Sequence, residues 1–105
     1  MMYLLNSPVL TGYGTYKFNG PITTQQAKTL LATIPFTSAI GHQATADLLS
    51  ALLDQPIACQ RIQITMQPGD SALVFRLLKR MPEGVVISKQ QLNQLEFELG
   101  ILKRV

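Results

Sequence analysis

The chain of 105 residues has no tryptophan, one cysteine and one histidine. A single thiol cannot pair within its own chain, which excludes a disulfide scaffold. One thiol and one imidazole also fall short of the ligands of a classical zinc site. Charged residues are sparse at 14%, while apolar ones make up 47%, the reverse of a disordered composition. No apolar run approaches the roughly 20 residues that span a bilayer. No basic segment followed by an apolar stretch and a cleavage site opens the chain. These absences predict a soluble, cytoplasmic protein with no membrane partner, and the length suits a single domain over 1–105.

Nine basic residues against six acidic ones leave a net charge of +3. The basic ones are scattered (Lys17, Lys28, Arg61, Arg76, Lys79, Arg80, Lys89, Lys103, Arg104) and form neither a nucleic-acid arm nor a polybasic tail. A small anionic ligand fits this bias at least as well as a long duplex. The sequence pI near 9.3 keeps a small DNA-binding regulator as one alternative, but no recognition helix accompanies it, so stable duplex binding is not expected.

Gly and Pro punctuate the chain at Asn6-Ser7-Pro8, Gly12 to Gly14, Asn19-Gly20-Pro21, Gln67-Pro68-Gly69-Asp70 and Pro82-Glu83-Gly84, all read as turns or loops. Met2 to Leu5 reads as a short buried strand. Thr23 and Gln26 form a capping box ahead of Ala27, Leu30, Leu31 and Ile34, which predicts a helix over 24–33, stopped by Pro35. Phe36 to Ile40 reads as a strand, and Ala44, Leu48, Leu49, Leu52 and Leu53 mark one face of a second helix. Arg61 to Met66 alternates cleanly and predicts a half-buried strand.

The stretch from Ala72 to Leu78 fits either period. The turn before it and its Val-Phe pair favour a strand. Ser88 and Gln91 offer a second capping box before a short third helix, and Phe97 to Val105 reads as the last strand. The fold class expected is α/β (α+β-like), a single mixed sheet of about five strands with about three flanking helices.

Chemistry concentrates at Ser38-Ala39-Ile40-Gly41-His42, where a strand ends, a glycine relaxes the backbone and the sole histidine opens a helix. Free amides and the macrodipole at a helix start attract phosphate oxygens, and a bound phosphate favours the protonated ring. His42 then suits a general acid in phosphodiester cleavage, or else it merely caps the helix. Arg80 in Lys79-Arg80-Met81-Pro82-Glu83-Gly84 can grip a phosphate through parallel hydrogen bonds. Glu83 can orient Arg80 or accept from a ribose hydroxyl, or the two form an exposed ion pair of little consequence. Asn6 and Ser7 follow the first strand, where ligands collect in α/β sheets, although an Asx turn before Pro8 is the commoner explanation of such a pair. Cys59 reads as a small core or edge residue. Asp47, Asp54 and Asp70 lack metal-loop spacing, so an enzyme here is expected to need neither metal nor other cofactor.

Four segments lie in the order found in one family: Tyr3-Leu4-Leu5-Asn6-Ser7-Pro8, Ser38-Ala39-Ile40-Gly41-His42-Gln43-Ala44-Thr45, Pro68-Gly69-Asp70-Ser71-Ala72-Leu73 and Arg80-Met81-Pro82-Glu83-Gly84. Nearly end to end, the chain resembles the viral and bacterial type III anti-CRISPR ring nucleases. The resemblance implies a homodimer that binds cyclic tetra-adenylate across its two-fold axis. It implies cleavage without metal to linear di-adenylate bearing a 2′,3′-cyclic phosphate and then a 3′-phosphate, which ends type III CRISPR signalling. By the same resemblance His42 is the general acid, and Arg80 and Glu83 position the scissile phosphate and ribose. Asn6, Ser7, Ile40 and Gly41 line the substrate; archaeal-virus members carry a longer loop after the first strand, so Asn6 is the firmer match than Ser7. Tyr3, Tyr13 and Phe36 are aromatic candidates for stacking on adenine. A sponge that binds the ring without cutting it would use the same groups.

Overall fold

The computed structural model describes residues 1–6, 12–78 and 96–105, with the backbone alone at Leu77. The elements run β1 (Met2–Leu5), β2 (Tyr16–Ile22), α1 (Thr24–Thr33), β3 (Phe36–Ser38), α2 (Gln43–Leu53), β4 (Ser71–Leu77) and β5 (Phe97–Arg104). Five strands make one mixed sheet in the order β2-β5-β4-β1-β3. β1 is parallel to both β3 and β4, while β5 is antiparallel to β4 and β2.

Period-two alternation sorts the strand side chains onto two faces. Leu4, Leu73, Phe75 and Leu99 face the helices and pack on Ala27, Leu31, Ala46, Leu49 and Leu53. Leu5, Ala72, Val74 and Leu102 point the other way, where Met66 and Ile64 cover them. Helix α1 begins as its capping box predicts. The Gln26 amide donates to Thr23 Oγ1 at 3.0 Å and the Thr23 amide donates to Gln26 Oε1 at 2.8 Å. Helix α2 ends at Asp54, whose φ of 51° is left-handed, and Lys28 of α1 ties down that end through a 3.0 Å ion pair.

Two sequence expectations need correction. Asn19-Gly20-Pro21 is not a turn but a kink inside β2, with a register shift against β5 between Asn19 and Ile22. Proline is tolerated there because β2 is an edge strand whose outer side makes no ladder. The kink lets the backbones of Gly20 and Gly100 touch: a Cβ at Gly20 would lie 3.1 Å from the Gly100 Cα. The second correction is Arg61 to Met66, which joins no strand ladder. That segment lies across the second face, with Met66 buried, Ile64 half-buried and Ile62 42% exposed. Alternation reports one-sided burial, which any extended segment laid on a face satisfies; a strand also needs a partner's amides and carbonyls. Just before this segment, Cys59 makes an isolated parallel bridge to Ile40, and Cys59 itself is exposed rather than part of the core. The expected third helix from Ser88 lies outside the described residues.

Pro68-Gly69-Asp70 does turn the chain into β4, and Asp70 organises the turn. Its carboxylate accepts from the Gln67 amide at 2.9 Å and from the Met1 ammonium at 3.0 Å. The Gln67 hydrogen bond first, and the ammonium second, hold the carboxyl below its ordinary range. A depressed folded value means stability that is present above the unfolded value, about pH 4, and lost as pH falls through the folded one. Asp70→Ala should therefore lower the melting temperature at pH 7, and the gap to the parent should narrow steadily below about pH 4. Thermal melts of both proteins from pH 7 to pH 2 check this; a gap independent of pH would contradict it.

Candidate functional site

Parallel strands point their carboxyl ends the same way, and in open α/β sheets ligands gather beyond those ends. Here the parallel strands are β3, β1 and β4, adjacent in the sheet. Leu4 pairs with Ser38. Continuing that register puts Asn6, exposed just past β1, level with Ile40, two residues past β3. β4 ends at Leu77 on the same side. The topology thus places Asn6 and the Ile40-Gly41-His42 turn, which are far apart in sequence, after the same ends of paired strands. Ser7, Arg80 and Glu83 lie outside the described residues.

Ile40 is fully buried and belongs to the helix-side core, so it anchors the turn rather than meeting a ligand with its side chain. Gly41 is half-buried and His42 is exposed. His42 occupies the N-cap of α2 with extended angles (φ −123°, ψ 129°), but its imidazole makes no capping hydrogen bond. Capping is therefore not what holds the ring. The first helical amide to reach back to the cap is that of Ala46, donating to the His42 carbonyl at 3.0 Å. No acidic residue occupies the first turn of α2. In contrast to α1, this helix start takes no hydrogen bond from its N-cap side chain, an exposed imidazole.

Arg61, in sequence one of the scattered charges and the first residue of the expected 61–66 strand, is set against the turn by the structure. Its Nε donates to the Gly41 carbonyl at 3.3 Å, and a Cβ on Gly41 would come within 3.1 Å of the Arg61 Cγ. Gly41 thus makes room for the arginine stem. No carboxylate pairs with Arg61 among the described residues. The contact spans 20 residues between a turn and an unpaired segment, and no local spacing signals it. Of the aromatic candidates, Phe36 packs against the helix-side core and Tyr3 against the opposite cluster, while Tyr13 is fully exposed.

No helix among the described residues is long and apolar enough to cross a membrane. The model of the family described as STIV B116-like matches residues 2–99. Uncharacterized protein 26 of Sulfolobus islandicus filamentous virus (isolate Iceland/Hveragerdi) is 36% identical over 109 residues, covering 100% of this chain and 92% of that protein. Uncharacterized protein YddF of Bacillus subtilis (strain 168) is 32% identical over 103 residues, covering 96% of this chain and 94% of its own. The solved structure of B116 of Sulfolobus turreted icosahedral virus superposes with a TM-score of 0.82 over 98% of both chains, at 20% identity, a likeness of fold. A family match over nearly the whole chain, full-length relatives from an archaeal virus and a bacterium, and a shared fold leave one conclusion: this chain belongs to the STIV B116-like family.

Proposed function

We infer that the chain is a ring nuclease that opens cyclic tetra-adenylate and so switches off type III CRISPR signalling. The observation that carries this reading is the exposed, uncapped imidazole of His42 at the start of α2, at the sheet end shared with Asn6. A phosphate docked on the first-turn amides would sit beside a proton donor and beside the Arg61 guanidinium.

The ligand's own 2′-hydroxyl attacks the adjacent phosphorus, and the bond to the 5′-oxygen breaks. The hydroxyl proton passes to solvent or a nearby base, and His42, as imidazolium, protonates the departing 5′-oxygen. One product end is a 2′,3′-cyclic phosphate and the other a 5′-hydroxyl. No protein nucleophile is needed; the chain holds hydroxyl, phosphorus and leaving oxygen in line and neutralises the crowded phosphate. Resemblance assigns Arg80 and Glu83 to that positioning. A homodimer suits the ligand, because a two-fold assembly presents identical groups to opposite phosphates of a four-fold ring and yields two equal halves.

Incubation with cyclic tetra-adenylate in EDTA, followed by chromatography, tests the reading. Linear di-adenylate ending in a 2′,3′-cyclic phosphate is expected. Recovery of intact ring bound to the protein would make the chain a sponge, and absence of binding would remove the nucleotide altogether.

A further inference from the structure

A hydroxyl sealed from water is favourable only when hydrogen-bonded. Ser38, 4% exposed, is the only buried polar or charged residue among the described residues. Its Oγ donates to the Ala58 carbonyl at 2.6 Å and accepts from the Ile40 amide at 3.3 Å. Ser38 is also the last residue of β3, so the hydroxyl acts where the strand ladder stops. Beyond it the chain is held from both sides: the Ala39 amide donates to the Leu4 carbonyl at 2.9 Å, and the Gln60 amide donates to the Ile40 carbonyl at 2.8 Å. Only Gly41, the most permissive backbone unit, then separates buried Ile40 from His42.

We propose that Ser38 is a positioning residue for His42, its hydroxyl joining the end of β3 to the 58–60 segment and so setting where the turn delivers the imidazole. The inference deepens the ring-opening reading and rests on it for its catalytic consequence. Without the hydroxyl, the Ala58 carbonyl and the Ile40 amide lose a shared partner. The turn and the 58–61 segment, including the Arg61 contact to Gly41, can then slide relative to each other. Displacing a reacting group by about 1 Å is enough to cost roughly 100-fold in rate.

The test compares the full chain with Ser38→Ala and Ser38→Thr. The sequence has one histidine, so its two carbon-bound ring protons give NMR signals that no other histidine overlaps. Ser38→Ala is expected to bind cyclic tetra-adenylate within a few-fold of the parent, to turn over about 10–100-fold more slowly, and to shift or broaden the His42 signal. Ser38→Thr, which keeps a hydroxyl, should recover most of the rate. Should the alanine variant fail to fold, Ser38→Cys retains volume with only a weak donor and is read the same way. Parental turnover with an unmoved His42 signal, at whatever melting temperature, would overturn the proposal and leave Ser38 a purely structural residue. If the parent protein leaves the ring intact, the ring-nuclease reading is what fails, and the His42 signal alone then decides the role of Ser38.

Discussion

Replacing His42 with alanine should slow cleavage of cyclic tetra-adenylate by about 10²–10⁴-fold, the range for a positioned general acid. The loss should fall on turnover rather than on affinity. His42 is exposed and its ring makes no capping hydrogen bond, so its removal leaves the fold and the helix-start amides in place. Single-turnover assays in chelator, run beside direct binding measurements, separate the two effects. A variant that cuts at the parental rate would take the imidazole out of the mechanism. Equal losses in binding and rate would reassign His42 to ligand recognition.

The second large effect is on stability. Phe75 lies on β4, the middle strand of the sheet, is 1% exposed, and its ring centroid is 5.6 Å from that of Phe97. It pairs across the ladder with Leu99, so one side chain joins β4 and β5 to the helix-side core. Truncation to alanine removes that apolar area and leaves a cavity, at a cost of about 3–5 kcal/mol. Domains of this size hold roughly 5–15 kcal/mol in total, so Phe75→Ala should remove a large fraction of the protein's stability. Urea denaturation measures it. A change below about 1 kcal/mol would mean that this face of the sheet is far more yielding than its packing implies.

Helices and inner strands were legible because their signals are local. A capping box followed by apolar residues at helical spacing located α1 to the residue, and a run of leucines ahead of Asp54 located α2. The ambiguous 72–78 stretch forms β4 between β1 and β5, where Leu73, Val74 and Phe75 are buried on both faces. Burial on both faces is why its apolar residues fitted a helix as readily as a strand. At the edges local signals misled. In β2, Gly20 and Pro21 looked like punctuation, although an edge strand accommodates both. In 61–66, regular alternation suggested a ladder that does not exist.

The candidate site divides along the same line. His42, Gly41 and Asn6 could be singled out from residue type and position alone, because a lone histidine at a strand-to-helix turn and an amide after a first strand are statements about neighbouring residues. That β1 pairs with β3, that Arg61 leans on the Gly41 carbonyl, and that the Ser38 hydroxyl holds Ala58 are long-range facts. Residue chemistry and short-range periodicity are written in the order of amino acids. Which distant groups meet depends instead on strand order and register, and those follow from packing the whole set of apolar faces at once.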